Sequence, residues 1–328
     1  MVPKRLIGLL VALLLAGVAF GPNAAAQDRL SIATGGTGGV YYPYGGALAS
    51  LISNYVEDTE VTAEVTAASV DNMLLIESQD ADLAFVLGDT AADAVQGNDP
   101  FQNPIPGRTL ATLYDNFTHI VVKGDSEINT VADLRGKRVS TGSPGSGTEV
   151  IANRILTAGG LNPDADISRE QLGVSESAGA MRDGRVDAFF WSGGLPTAAI
   201  TDLGATPNVT MKLLPHADIA PALQEQYGAV YSTATIPANT YPNQTEDVEV
   251  VIVPNVLVAH EEMDEELVYN ITKAMFEHRD DLVAAHPAAN DLTLENAIAD
   301  SPIPYHPGAL RYYQEQGATP VPPATPAT

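Results

Sequence analysis

"LSIATGGTGGVYYPYGGALASLI" (Leu30–Ile52) is the stretch on which the reading of the fold turns. An apolar, alternating run enters Gly35, Gly36, Thr37, Gly38 and Gly39. A valine, two tyrosines and Pro43 follow, and then residues at helical spacing. A glycine turn between a strand and a helix gathers unpaired backbone N–H groups and the positive end of the helix dipole at one point. That is a seat for an anion. In open α/β sheets such turns lie at the carboxyl ends of strands, where ligands bind.

The same grammar continues outward. "EVTAEVTAA" reads as a strand, "SVDNMLLIESQDA" as a helix with Ser69 or Asp71 placed to cap it, "DLAFVLG" as a short buried strand and "DTAADAVQG" as a helix ending at Gly97. After the loop "NDPFQNPIPGRT", the run "LATLYDNFTHIVVKGD" leads out of this unit as strand, and the pattern restarts from "VADLRGKRV". Strands alternating with helices predict parallel sheets covered on their faces. The chain later returns with strands and helices that complete the first unit. The expected fold is therefore α/β with two similar lobes and a cleft between them.

Two further turns of the first kind follow. One is Ser140-Thr141-Gly142-Ser143-Pro144-Gly145-Ser146-Gly147-Thr148, and the other is Trp191-Ser192-Gly193-Gly194-Leu195-Pro196. Neither these nor the first turn fits a nucleotide. From Gly36 the last position of G-x-G-x-x-G is Tyr41, and after Gly147 a P-loop needs lysine where Thr148 stands. Backbone N–H groups and hydroxyls can still hold an anion without any cation.

Composition narrows the partners. Sixteen Lys and Arg stand against 41 Asp and Glu, for a formal charge of −25. The scattered carboxylates read as solvated faces, and no basic patch is offered to nucleic acid. Lys4 and Arg5, the apolar run Leu6–Phe20 and the small residues Ala24, Ala25 and Ala26 read as a signal peptide over 1–26. The apolar run is about 15 residues, short of the ~20 that span a bilayer. Cleavage near Ala26 and a periplasmic location are expected. The chain has no cysteine, hence no disulfide and no cysteine for a lipid anchor. The Pro-, Ala- and Thr-rich tail, 318–328, reads as disordered.

Enzyme chemistry is not indicated. Ser143 and Ser146 stand outside G-x-S-x-G, the six histidines are scattered, and Asp164 and Asp166 lack the glycine and distal glutamate of a calcium loop. Arg182 and Arg185 read as surface residues of a helix and turn. No cofactor and no metal is expected.

Four stretches carry a resemblance: Thr34–Ile52, "DLRGKRVSTGSPGSGTE" (Asp133–Glu149), "DAFFWSGGLPTAAI" (Asp187–Ile200) and "VYNITKAMFEHRDDL" (Val268–Leu282). They resemble the TAXI family, the solute-binding subunits of one branch of the TRAP transporters, over nearly the whole chain after the signal. The first stretch is specific to that family; the second is shared among type II periplasmic binding proteins. The resemblance implies a clamshell whose lobes each hold a mixed, mostly parallel sheet flanked by helices, with two crossover segments at the hinge. It implies a monomeric, non-enzymatic receptor for a small carboxylate such as glutamate, glutamine or a 2-oxoacid, delivered to an integral-membrane permease. A ligand sensor presenting its closed form to a signalling partner is the alternative. Lobe 1 is expected over 27–120 and 228–317, and lobe 2 over 121–227.

Carried over position by position, the resemblance implies a pocket of Thr37, Gly38, Gly39, Tyr41, Tyr42, Ser69, Asn72, Leu87 and Gly88 from the first lobe. The second would close it with Ser143, Gly145, Ser146, Gly147, Thr148, Trp191, Gly193 and Gly194. Tyr41 and Tyr42 cannot both enter one cleft without strain. Asn72 is open to a capping role, and Trp191 to core packing.

Overall fold

The computed structural model describes residues 28–299 and 301–320; the expected signal peptide and most of the expected tail lie outside these residues. The first lobe begins β1 (Asp28–Ala33), α1 (Tyr41–Tyr55), β2 (Thr59–Glu64), α2 (Ser69–Ser78), β3 (Leu83–Leu87) and α3 (Gly88–Gln96). β3 is buried at every position, as a parallel strand covered on both faces must be. α1 turns Tyr41, Tyr44, Leu48 and Ile52 inward at helical spacing. Gly45 lets it lie against β1, where a Cβ would come 2.5 Å from the Thr34 methyl. Neither Ser69 nor Asp71 caps α2. The cap position is Ala68, with a φ of 86°, and Ser69 is the first helical residue.

A 17-residue strand, β4 (Gly107–Lys123), then crosses to the second lobe. There follow β5 (Arg138–Ser140), α4 (Gly147–Ala158), β6 (Ser168–Glu170), α5 (Val174–Arg182), β7 (Ala188–Gly193), α6 (Ala198–Ala205), β8 (Met211–Leu213), α7 (Ala220–Tyr227) and β9 (Ser232–Ile236). The return is a second long strand, β10 (Val248–His260). Helices α8 (Glu265–Glu277), α9 (Arg279–Ala285), α10 (Leu294–Ala297) and α11 (Pro307–Glu315) close the first lobe.

The strands form one hydrogen-bonded path, β2-β1-β3-β10-β4-β7-β5-β6, with β8 beside β4 and β9 beside β10. β1 is parallel to β2 and β3, and β5 is parallel to β6 and β7. The antiparallel pairs involve the two crossing strands, which also pair with each other from Gly107–Phe117 to Ile252–His260. The expected two-lobed α/β clamshell with two crossovers is the fold observed.

Four apolar clusters divide between the lobes. Two draw on residues up to Tyr114 and from Val256 onward. The other two are built almost wholly from Ile120 to Val253, with Leu87 reaching into one of them. The packing therefore returns to the first lobe near Asn255, later than the 228 expected. The cause is the pairing of β9 with Val248–Ile252 of β10, which seats Tyr231 just ahead of β9, Ile236 of β9 and Val251 of β10 in second-lobe cores. Among the described residues, no helix is long and apolar enough to cross a membrane, and no group of three or more His, Asp or Glu side chains could hold a metal ion.

Candidate functional site

Between the lobes lies a cavity of about 320 Å³. Its walls are the strand-to-helix turns. Gly35–Gly39 and Tyr41 come from the start of α1, Thr66–Ser69 from the start of α2, and Leu87 from the end of β3. The second lobe supplies Gly142, Ser143, Ser146, Gly147 and Thr148 at α4, Gln171–Glu176 at α5, and Trp191 and Ser192 from β7. Four helices thus point their N-termini at one space, and each brings first-turn N–H groups without intrahelical partners. No lysine, arginine or histidine is among the lining residues; Glu176 is the one carboxylate.

Local structure explains how the second-lobe turn is held. Gly142 has a φ of 101°, which a side chain would resist. Ser146 caps α4, accepting from Glu149 N at 3.1 Å, and donates to Ser143 O at 2.7 Å. The Glu149 carboxylate reaches back to Gly145 N at 3.0 Å, and Arg169 Nη2 donates to it at 2.6 Å. Glu149, the residue after Thr148, is thus the strut of this loop. The Thr148 hydroxyl accepts from Ser192 N at 3.3 Å and ties α4 to β7.

The jaws touch. Gly38 O accepts from Ala199 N at 3.3 Å, and Gly145 O accepts from Asp71 N at 3.1 Å. A Cβ on Gly39 would stand 2.7 Å from the Trp191 ring, and one on Gly147 would meet Leu87 and Ser69. At the flank of the cleft, Arg154 of α4 reaches the first lobe. Its Nη2 donates to Asp93 Oδ2 at 2.6 Å, its Nη1 donates to the Tyr231 hydroxyl at 2.8 Å, and that hydroxyl donates to Asp89 Oδ2 at 2.7 Å. Burial pushes the Asp93 carboxyl up to about 6, against the pull of Arg154.

Of the seventeen pocket residues named from the sequence, the cavity gathers Thr37, Gly38, Gly39, Tyr41, Ser69, Leu87, Ser143, Ser146, Gly147, Thr148 and Trp191. Six lie elsewhere. Tyr42 points off α1 and is 38% exposed, while Tyr41 is 8% exposed and its hydroxyl accepts from Asn255 Nδ2 at 2.7 Å. Asn72 is fully buried as a strap; its Nδ2 donates to Thr34 O and Phe85 O, both at 2.8 Å, and its Oδ1 accepts from the Thr66 hydroxyl. Gly88 packs on Pro254, Gly193 under the Trp191 indole and Gly194 on Tyr114. Gly145 bridges the lobes at the rim, through the carbonyl described above. Arg182 and Arg185 are more than half exposed and pair with Asp183, away from the cavity.

Sequence reasoning missed the whole turn before α5. "QLGVSE" carries a single glycine and reads as a strand edge. The available signal was Gly173 one residue ahead of a helical run.

Solved structures align with most of this chain. One from Bordetella bronchiseptica RB50 is 18% identical over 88% of this chain and 89% of its own, with a TM-score of 0.52. The alkanesulfonate-binding protein SsuA from Xanthomonas axonopodis pv. citri, bound to MOPS, is 17% identical over 89% and 92%, with a TM-score of 0.46. The periplasmic aliphatic sulphonate binding protein SsuA from Escherichia coli is 15% identical over 88% and 83%, with a TM-score of 0.44. At 18% identity the first likeness concerns the fold alone. The sequence match is to a family: residues 32–317 fit the model of the NMT1-like family, and the chain belongs to it.

Proposed function

We propose that the protein is a periplasmic solute-binding receptor. It captures a small carboxylate such as glutamate, glutamine or a 2-oxoacid and delivers it to a TRAP-type membrane permease of the TAXI branch. The observation that carries this reading is the convergence of four helix N-termini, from both lobes, on a cavity of about 320 Å³ without a lining cation. Such a site holds an anion by oriented N–H groups and hydroxyls, and its volume suits a small metabolite. It also answers how a chain with a net charge of −25 can attract an anion: the positive potential is local and comes from the backbone.

No reaction is proposed. The serines of the cavity have no histidine or lysine among the lining residues to take a proton. Substrate would enter and leave unchanged as the lobes open and close.

A thermal-shift screen over amino acids, 2-oxoacids and dicarboxylates tests the reading, because a bound ligand raises the melting temperature by mass action. A carboxylate hit should also reduce the radius of gyration in solution scattering as the jaws close. Stabilisation only by cations or uncharged sugars would overturn it.

A further inference from the structure

The charges that join the lobes at the flank of the cleft do not balance. α3 of the first lobe brings Asp89 and Asp93, one turn apart on one face. The second lobe brings Arg154 from α4 and Tyr231 from the segment just ahead of β9. All four side chains are buried. Arg154 Nη2 donates to Asp93 Oδ2 at 2.6 Å, and its Nη1 stands 3.6 Å from Asp89 Oδ2, with the Tyr231 hydroxyl bridging the two. The guanidinium also lies over the Tyr227 ring of α7, 4.1 Å from its centre. α3 packs on β3 and β10, and α4 packs on β7. Movement of one lobe against the other therefore draws the aspartates away from Arg154 and Tyr231.

Two carboxyl groups share one guanidinium, so the set is neutral only when it holds one added proton. A surplus charge in a buried place is costly, and a titratable group there shifts its pKa to shed it. Asp93 is placed to hold that proton. Burial pushes its carboxyl up to about 6; Arg154 and a hydrogen bond with Asn98 pull it down, and Asp89 pushes it up. Asp99, Glu149 and Glu225 line the groove in which Asp93 and Arg154 lie, and Arg154 is its one cation. With the lobes apart, water reaches Asp93 and the ordinary value of ~3.9 applies. The joined form thus binds the proton more tightly than the parted form. Its advantage is complete below the parted value and is lost as pH rises through about 6.

We propose that Asp89, Asp93, Arg154 and Tyr231 form a clasp between the lobes that takes up a proton as it shuts, so that acid draws the lobes together and rising pH lets them part. The proposal rests on the receptor reading above for the movement of the lobes, and not on the identity of the ligand. α3 starts directly after Leu87 and α4 starts at Gly147, both in the cavity wall. A clasp between these two helices biases the same closure that a ligand drives.

The test needs no ligand. The chain has no cysteine, so Ser50→Cys on α1 and Asp202→Cys on α6, both exposed positions, put one spin label on each lobe. These two helices start where Gly38 O accepts from Ala199 N. Double electron–electron resonance of the labelled, ligand-free protein reads the ratio of short to long distances at pH 7.5 and at pH 5.0. That ratio should rise about tenfold in acid, as the two Asp93 values require. Asp93→Asn, the neutral isostere, and Asp93→Ala, which removes the carboxyl, are each made in the labelled protein. In both, the ratio should agree at the two pH values within about twofold. A wild-type ratio that stays constant or falls in acid would overturn the clasp, and so would a rise that either folded variant keeps. Those results leave the receptor reading standing, since the thermal-shift screen decides it separately.

Discussion

The hydroxyl of Tyr241 lies 2.8 Å from Nε2 of His119, and this contact decides where the imidazole carries its proton. Nδ1 faces Phe117 O at 2.9 Å, so it must donate, and Nε2 must accept from Tyr241. The same tyrosine oxygen accepts from Thr197 N at 3.1 Å, and the Thr197 hydroxyl accepts from the Trp191 indole at 2.8 Å. A histidine in the crossing strand thus sets, through three bonds, the ring that walls the cavity. Tyr241→Phe removes the donor to Nε2. The variant should lose about 1 kcal/mol of stability and bind ligand more weakly, measured by urea denaturation and titration. Unchanged affinity would show that Trp191 needs no such support.

Burial lowers His119 to about 4, and His216, also fully buried, to about 4. A folded-state value below the unfolded ~6.5 stabilises the protein above that pH and ceases to as pH falls toward the folded value. Unfolding free energy should therefore decline between about pH 6.5 and 4, by roughly 3 kcal/mol per histidine at the limit. His119→Gln should flatten the profile over that window. An unaltered slope would assign the acid sensitivity to other groups.

Arg154→Met leaves Asp89 and Asp93 facing each other without their cation. Breaking a buried ion pair from one side costs about 3 kcal/mol, and the variant should be destabilised by that order at pH 7. Without Arg154 the already raised Asp93 carboxyl rises further, so its ionised form is the costly one. The deficit should shrink as pH is lowered from 7 toward 5. Denaturation at both pH values checks this, and a deficit that grows in acid would refute the account.

Thr148→Val keeps the shape of the α4 start but removes the oxygen that ties it to Ser192 N and faces the cavity. Ligand affinity should fall by about 1 kcal/mol or more with the fold retained. Equal affinity would take Thr148 out of the site.

Gly39→Ala puts a methyl 2.7 Å from the Trp191 ring, where the two lobes meet. It should hinder closure, lowering affinity about tenfold, or roughly 1.4 kcal/mol, and enlarging the liganded protein in scattering. Full affinity with full compaction would show that Trp191 gives way freely.

What could be read in advance was local. The glycine turns at 35–39 and 142–147 announce strand-to-helix junctions by composition, and both line the cavity. The choice between Tyr41 and Tyr42 was also present, in the phase of α1: Tyr41, Tyr44 and Leu48 share a face that Tyr42 does not. Hidden were the features made by distant segments. Arg154 meets Asp93 and Tyr231 across 61 and 77 residues, and nothing beside it hints at either. The return to the first lobe was misplaced because the β9–β10 pairing, which keeps Val248–Ile252 in the second lobe, is tertiary. Asn72 looked like a ligand contact or a cap, because its three partner strands and turns are assembled only in the fold.

The pairing of β4 with β10 has a mechanical consequence. A clamshell joined by loose linkers opens like a door on pins. Here the joint is itself a ribbon of sheet, with register irregularities between Asn255 and Val256 and between Leu257 and Val258. Bulged ribbons are already overtwisted and bend locally. On the receptor reading, opening would spread as added torsion over many soft dihedrals, with the ladder bonds kept. The joint would then work as a torsion spring, and backbone amides along β4 and β10 should remain protected from exchange when ligand is added.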